Sequence, residues 1–179
     1  VCSSDLEKRF YTWTLQSHID LAKAVWLDYC ECKMIDTIAR EPLWRHLINY
    51  RCGTGHSVSF VGNVHEGPHA LNSRNTTRMR PGMVVTDEPG VYETDLVGIR
   101  IENELVCVHK ADNQYGTFLG FEPLMFVPIA TSPILPGVLD KDEIAWLNDY
   151  HRQVFAKLAP HLNDEERSWL AEKCAAIGC

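Results

Sequence analysis

Apolar residues recur every three to four positions in the first part of the chain, which predicts helices there. From Lys8 to about Leu27 this spacing is typical of one face of an amphipathic helix. The face of a second predicted helix is formed by Ile35, Ile38, Leu43 and Leu47. Pro42 is expected to kink this second helix or to begin a new one, because proline lacks the amide donor of a helix interior.

The pattern changes to strands and loops after residue 50. Residues 50–70 are rich in Gly, His, Ser and Asn, with a short β-prone run over 58–61. The apolar run Met83–Thr86 predicts a strand that ends before a Pro-Gly turn. Alternation predicts a second strand from Gly98 to about Lys110, and pairing of the two as a hairpin would bring their acidic residues together. One face of the second strand carries Arg100, Glu102 and Glu104, and the other carries Ile99, Ile101 and Leu105.

A separate module is predicted beyond Asp112. Residues 118–136 are mostly apolar but contain too many prolines for a central strand throughout. Two helices follow, one beginning near Asp140 and one at Asn163, where Glu166 completes a capping-box-like start. Helices and strands in this order predict an α+β chain.

Composition and charge narrow the class of protein. The 179 residues are 45% hydrophobic and 23% charged, which is typical of a soluble globular domain. The net charge of −7 argues against a nucleic-acid partner, which needs a cationic face. No apolar run reaches the roughly 18 residues of a membrane span. Seven cysteines without a repeated CxxC favour reduced thiols in a cytoplasmic protein over a disulfide framework.

Three segments concentrate the residues that could do chemistry. Taken singly, each such residue has an ordinary explanation, since a histidine beside a strand is usually a hydrogen-bonded structural residue. Taken together, His56 and His65 supply imidazoles while Glu88 and Glu102 supply carboxylates, which is the ligand chemistry of Zn²⁺ or Mn²⁺. Carboxylates can also bridge two metal ions about 3.5–4 Å apart. The segments are residues 53–56, residues 63–68, and residues 86–90 together with 98–103.

In chain order, these segments resemble the M24 metallopeptidases, and within them long-form aminopeptidase P. The matching strings are Gly-Thr-Gly-His, Asn-Val-His-Glu-Gly-Pro, Glu-Pro-Gly-x-Tyr and Gly-Ile-Arg-Ile-Glu-Asn. Shorter matches lie at residues 17–25, 41–44, 118–122, 127–129 and 146–151, so the resemblance covers about residues 8–177. It implies an incomplete pita-bread (creatinase/aminopeptidase) fold lacking its N-terminal part, followed by a small, mainly helical C-terminal module.

The resemblance also implies a division of the chain. Residues 7–111 are expected to form part of an M24 catalytic domain, and residues 112–179 the M24 C-terminal domain. Residues 1–6 resemble the translation of a sequencing-adapter end. A non-native origin is favoured for them over the alternative, an ordinary polar N-terminal turn.

Roles for individual residues follow from their positions in the family motifs. His56, Glu88 and Glu102 are implied as metal ligands, with Glu102 bridging two ions and Glu88 also orienting or deprotonating the attacking water. His65 is implied as the residue that contacts substrate and helps to stabilise the tetrahedral intermediate. Such a site would polarise the scissile carbonyl and lower the pKa of a water molecule.

Other positions are ambiguous or depart from the family pattern. Arg100 is expected to neighbour a carboxylate and contact substrate, although a surface arginine is an equally ordinary explanation. Cys52 stands where many relatives carry a histidine that lines the substrate pocket. Residues 57–59 read Ser-Val-Ser where Gly-Val-Gly is more usual. The family's upstream pair of aspartate ligands has no counterpart in this sequence.

The expected function is therefore that of an Xaa-Pro aminopeptidase fragment, which removes an N-terminal residue before proline by two-metal attack of water. The fragment itself is expected to be inactive without the two aspartates. Mn²⁺ is the first choice of metal, with Zn²⁺ and Co²⁺ chemically admissible. Expected partners are peptides with proline at the second position and a second copy of the chain, in the cytoplasm. The alternatives are a prolidase-type dipeptidase and a non-catalytic binding protein on the same fold.

Overall fold

Helices lie at both ends of the chain and short strands lie between them in the computed structural model, which describes residues 5–178. The helices are α1 (Asp5–Ala22), α2 (Cys32–Trp44), α3 (Lys141–Leu158) and α4 (Asp164–Lys173), with a 3₁₀ helix at Ala159–His161. The strands are β1 (Val25–Leu27), β2 (Gly55–His56), β3 (Ala70–Leu71), β4 (Val84–Asp87), β5 (Gly90–Glu93), β6 (Val97–Arg100), β7 (Asn103–Asn113) and β8 (Gly116–Pro123). Most of the leading segment interpreted as non-native, residues 1–4, lies outside the described residues.

The first predicted helix ends at Ala22, so the prediction of helix as far as Leu27 is wrong for its last residues. Trp26 belongs instead to β1, where it pairs with Leu119. Its ring lies 4.6 Å from that of Phe121, centroid to centroid. Burial of this ring against a sheet favours an extended backbone over the helical spacing that the sequence suggested.

The second helix continues through Pro42 and ends at Trp44, so no new helix begins at the proline. Leu47, predicted to share the buried face, is 96% exposed and has a positive φ of 59°. That part of the prediction is wrong, because the chain has already left the helix.

Four antiparallel strands form the main sheet in the order β1-β8-β7-β4. The predicted pairing of the two acidic strands is confirmed for β4 with β7, where Val85 lies opposite Leu105. The segment between them is itself a hairpin of β5 and β6, so the long predicted strand is divided after Arg100. In the first half of β7, Asn103, Leu105 and Cys107 are buried and the residues between them are partly exposed, as the alternation predicted, whereas residues 109–113 are exposed on both faces.

The predicted β-prone run at residues 58–61 forms a loop, so this prediction is wrong. Phe60 in that run is fully exposed. Its backbone turns back on itself, because the Ser59 amide donates to the Asn63 carbonyl over 3.2 Å. The strand of this region is the two-residue β2, which pairs with β3 through His56 and Ala70.

Two compact units divide the chain. One comprises Trp13–Met125, and the other comprises the described residues before Trp13 together with those from Phe126 onward. Strand β8 ends at Pro123, the first proline of its segment, in agreement with the expectation that prolines exclude a strand throughout. The predicted domain boundary at residues 111–112 falls inside β7. The two-domain assignment itself stays a prediction.

The C-terminal helices begin where their capping residues predict. Asp140 caps α3 and Asn163 caps α4, and each accepts from the amide three residues on in a complete capping box. Tyr150, Val154 and Leu170 form the buried cluster of this unit. No helix among residues 5–178 is both long and apolar enough to cross a lipid bilayer.

A buried histidine on α3 binds the irregular segment that precedes the C-terminal helices. His151 is fully buried, and its Nε2 accepts the amide hydrogen of Ile129 over 3.1 Å. Beside it, the Tyr150 hydroxyl donates to the Val127 carbonyl over 3.0 Å. Burial lowers the pKa of His151, since the charged imidazolium is poorly solvated there.

Stability of this unit should therefore fall in mild acid. Because the pKa of His151 is lower in the folded than in the unfolded chain, the free energy of unfolding should decrease as the pH drops below about 6.5, where the unfolded histidine gains its proton. His151→Gln keeps an acceptor for the Ile129 amide but does not titrate. Urea unfolding at pH 7.5 and 5.5 should show a smaller acid loss for this variant than for the wild type, and equal losses would contradict the assignment.

Candidate metal-binding and catalytic site

Strand β2 lies directly against strand β4 at the candidate site. A Cβ at Gly55 would lie 1.8 Å from the Thr86 carbonyl oxygen, so only glycine permits this approach. Two hydrogen bonds hold the contact. The Glu88 amide donates to the Thr54 carbonyl over 2.8 Å, and the His56 amide donates to the Thr86 hydroxyl over 2.9 Å.

The side chains of His56 and Glu88 meet at the centre of the site. His56 Nε2 lies 3.1 Å from Glu88 Oε1, and both side chains are largely buried. The other ring nitrogen, Nδ1, lies 3.1 Å from the Ser57 carbonyl, which can only accept a hydrogen bond. We therefore assign the ring hydrogen to Nδ1, and the Nε2 lone pair then faces the carboxylate. With that tautomer, Nε2 and the carboxylate both present lone pairs, which is the type of group that a divalent cation binds.

Arg100 lies beside both candidate carboxylate ligands. One of its terminal nitrogens is 3.5 Å from Glu88 Oε2 and 3.9 Å from Glu102 Oε2. Its Nε donates to the Tyr92 hydroxyl over 2.7 Å, and this hydrogen bond raises the pKa of Arg100. Partial burial raises the pKa of Glu102, and repulsion from Glu88 adds to this effect. The guanidinium thus offsets part of the repulsion between the two carboxylates.

A cavity of about 410 Å³ opens onto these side chains. His65 borders it, with its ring centroid 3.9 Å from that of His56 in an edge-on arrangement. Cys52, Glu88 and Arg100 also line the cavity, whereas Glu102 lies outside its lining. Five of the six predicted site residues therefore share one cavity, and the sixth is joined to them through Arg100.

A second cavity of about 710 Å³ adjoins the first, since both are lined by Cys52, Gly53 and Asn72. Three arginines line it, and among its described lining residues there is no acidic side chain. These arginines are Arg40, Arg51 and Arg74. Arg40 is paired with Asp36, so the positive charge at this cavity comes from Arg51 and Arg74.

Asp36 and Arg40, a buried ion pair on α2, fix the loop that leads to His56. Arg40 Nε lies 2.7 Å from Asp36 Oδ2, and both side chains are almost inaccessible. Arg40 also donates to the carbonyls of Tyr50 and Cys52. The Thr54 hydroxyl donates to the second oxygen of Asp36. The pair thus binds both ends of the loop segment 50–54.

A second buried pair lies beneath the site. Asp87 Oδ2 is 3.2 Å from Nδ1 of His18 on α1, and neither side chain is accessible to solvent. Burial raises the pKa of Asp87, and the adjacent imidazole opposes that shift. Asp87 and Glu88 are consecutive in an extended segment, so their side chains point to opposite sides. Asp87 is directed into the protein, whereas Glu88 reaches the cavity.

The residues that line the cavity were predicted from the sequence, but the residues that position them through hydrogen bonds and ion pairs were not. Thr86, Asp36, Arg40 and the Ser57 carbonyl received no role. One signal was available for Thr86, because residues two apart on a strand share a face and Thr86 precedes Glu88 by two. For the α2 pair no local signal exists, since a charged pair four residues apart on a helix is usually exposed.

The donor types fit a divalent cation, but the described residues supply only part of a metal site. An imidazole nitrogen and a carboxylate oxygen in contact are ligands that Mn²⁺ and Zn²⁺ accept. Within residues 5–178, no group of three or more His, Cys, Asp or Glu side chains is arranged so that it could hold a metal ion. The roles of His56, His65, Glu88, Glu102, Arg100 and Cys52 therefore stay predictions.

Comparison with known proteins identifies the family. The model for metallopeptidase family M24 matches residues 1–109, and that for the C-terminal region of peptidase M24 matches residues 117–177. The chain belongs to metallopeptidase family M24. The resemblance drawn from the motifs is thus confirmed.

Relatives of this M24 chain include aminopeptidases. Aminopeptidase P2 of Arabidopsis thaliana is 43% identical over 171 residues, covering 92% of this chain and 24% of the relative. A crystal structure of the X-prolyl aminopeptidase of Caenorhabditis elegans, described as a cytosolic enzyme with a di-nuclear active site, superposes with a TM-score of 0.91 at 37% identity. It covers 98% of this chain and 29% of that enzyme. The chain spans about a quarter of the length of the curated relatives it matches.

The prolidase of Pyrococcus furiosus shares less of the structure. Its TM-score is 0.56 at 26% identity, covering 69% of this chain and 34% of the prolidase. The M24 chain thus has the predicted α+β architecture, which is part of a pita-bread fold followed by a helical C-terminal segment.

Adding one methyl group at Gly55 should disrupt the site. Gly55→Ala would force β2 away from Thr86, with a loss of at least about 1–3 kcal/mol in the free energy of unfolding, the usual range for overpacking. Gly67→Ala is the control, since a Cβ there would meet no atom within 4 Å. Urea denaturation measures both variants, and a Gly55→Ala protein as stable as the control would contradict the close approach.

Breaking the buried pair on α2 should cost more than breaking an exposed pair at the C-terminal end of that helix, where Arg45 is the capping residue. Arg40→Met leaves Asp36 buried without its cation, which should lower the free energy of unfolding by about 3–5 kcal/mol. Arg45→Met removes the exposed pair with Glu41, which has the same four-residue spacing. This change should lower the free energy of unfolding by less than about 1 kcal/mol. Similar unfolding midpoints for the two variants in urea would count against a role of Arg40 in holding the loop.

Proposed function

We propose that this M24 chain carries part of the active site of an Xaa-Pro aminopeptidase. The observation that carries the proposal is the contact of 3.1 Å between His56 Nε2 and Glu88 Oε1 beside the cavity that His65 also lines. The aminopeptidase names of the relatives and the TM-score of 0.91 with the X-prolyl aminopeptidase of Caenorhabditis elegans support it. His56, Glu88 and Glu102 would hold divalent cations, for which Mn²⁺ is our choice, and the cytoplasm is the proposed location.

The side chains of this chain have distinct tasks in such a reaction. When bound, the cations would polarise the scissile carbonyl and acidify a water molecule. Glu88 can accept a proton through Oε2, the oxygen that Thr86 leaves free. His65 borders the cavity and can donate a hydrogen bond to an oxygen that gains negative charge. Arg100 keeps Glu88 and Glu102 close together despite their like charges.

The charge of the adjoining cavity orients the peptide. The N-terminal ammonium of a substrate would be repelled by the arginines of the 710 Å³ cavity. The part of the peptide beyond proline, which ends in a carboxylate, would be attracted to it. We propose that peptides with proline at the second position bind in this direction, with the N-terminal residue away from Arg51 and Arg74.

The 179 residues alone are proposed to be inactive. Among the described residues, the candidate metal ligands are His56, Glu88 and Glu102. The cations would therefore need further ligands that these residues do not supply. A non-catalytic binding protein would have no need of an imidazole and a carboxylate held in contact within a cavity. That contact favours the enzyme over the binding module.

Complementation tests the proposal. The chain, combined with the N-terminal part of the Caenorhabditis elegans enzyme, should cleave Ala-Pro-Ala when Mn²⁺ is present. Glu88→Gln should reduce kcat by at least about 100-fold, the scale of lost acid–base catalysis. The control is His109→Ala, because His109 is exposed and paired with Asp112. Cleavage that survives Glu88→Gln would contradict the catalytic role of Glu88.

A metal titration addresses the ligands without activity. In calorimetry, Mn²⁺ affinity of the complemented protein should fall at least about tenfold in His56→Ala, which corresponds to about 1.4 kcal/mol. His109→Ala should match the wild type. Equal affinities for wild type and His56→Ala would remove His56 from the ligand set.

A further inference from the structure

The Thr86 hydroxyl connects the two residues that meet at the centre of the site. Its oxygen accepts the amide hydrogen of His56 over 2.9 Å and donates to Glu88 Oε1 over 2.9 Å. Thr86 itself is 3% exposed, so its hydroxyl has little access to water. One hydroxyl therefore contacts the backbone of one candidate ligand and the side chain of the other.

The direction of these hydrogen bonds is determined by the chemistry of the groups. A backbone amide can only donate, so the Thr86 oxygen must accept from His56. The single hydroxyl hydrogen is then available for Glu88 Oε1, which accepts it. Glu88 Oε2 receives nothing from Thr86 and lies toward Arg100. The threonine thus distinguishes the two oxygens of the carboxylate.

The rest of the local structure leaves Thr86 little freedom. Gly55 contacts the Thr86 carbonyl, and a Cβ at residue 55 would lie 3.2 Å from the Thr86 hydroxyl oxygen as well. On the His56 side, the Ser57 carbonyl fixes the ring through Nδ1. The imidazole and the carboxylate are therefore each held by a second group, which is how metal-binding histidines and carboxylates are usually oriented.

We propose that Thr86 is a positioning residue, whose hydroxyl sets the distance and orientation of Glu88 relative to His56. The inference rests on the proposed function for its consequence, cation affinity, but the positioning itself concerns the chain without metal. A merely structural threonine would stabilise β4 and leave the Glu88 side chain unaffected by its loss.

Two substitutions separate these roles. Thr86→Val keeps the shape of the side chain and removes the hydroxyl, whereas Thr86→Ser keeps the hydroxyl. In the 179-residue chain, NMR three-bond couplings should show Glu88 in one rotamer for the wild type and Thr86→Ser, and averaged rotamers for Thr86→Val. Exchange of the His56 amide should be about fivefold faster in Thr86→Val relative to neighbouring core amides. Thr14→Val is the control, a buried β-branched replacement elsewhere in the same unit.

Unchanged Glu88 couplings and His56 exchange in Thr86→Val would overturn the proposal. A uniform acceleration of all core amides, with Glu88 still in one rotamer, would also overturn it, since this is the result of a structural role alone. Mn²⁺ titration of the complemented protein then tests the consequence. Affinity should fall about 10–100-fold in Thr86→Val and be retained in Thr86→Ser. If neither wild type nor variants bind Mn²⁺ while the NMR differences persist, the proposed function fails and the positioning role of Thr86 stands.

Discussion

The close contact between the backbones of Gly55 and Thr86 underlies the whole site. Because residue 55 has no Cβ, strand β2 can lie against β4. The residues on either side of Gly55 then form hydrogen bonds to the β4 segment, Thr54 with Glu88 and His56 with Thr86. These bonds carry His56 and Glu88, which are 32 residues apart in the chain, into direct contact. A side chain of any size at residue 55 would separate the strands, and the imidazole and carboxylate would no longer meet.

Two buried pairs of polar side chains support this contact. The Asp36–Arg40 pair holds the loop before His56, and the Asp87–His18 pair lies beneath Glu88. Buried ion pairs add little net stability because desolvation opposes their attraction, but removing one partner is costly. The effect of the Asp36–Arg40 pair is to specify one conformation of the loop segment 50–54. At the surface of the site, Arg100 performs a related task by lying between two carboxylates that would otherwise repel each other.

The prediction of the fold succeeded where local chemistry decides the outcome. The capping residues Asp140 and Asn163 and the alternation along β7 depend only on near neighbours, and both agree with the structure. It failed where distant packing decides. Trp26 pairs with β8, about ninety residues away, and so leaves the helical pattern. The run at residues 58–61 has the composition of a strand but finds no partner strand in the described part of the chain.

For the site, the family and the types of donor follow from the sequence, because ordered motifs of histidine, glutamate and glycine are specific in combination. It also indicated which residues would approach one another, through the strand ends that carry them. How these residues are held depends on the folded chain: the Ser57 carbonyl sets the tautomer of His56, Thr86 selects one oxygen of Glu88, and Arg40 is buried. Arg40 is buried because the loop carbonyls of Tyr50 and Cys52 fold onto it, and Thr86 contacts His56 although the two lie 30 residues apart, which no local pattern encodes.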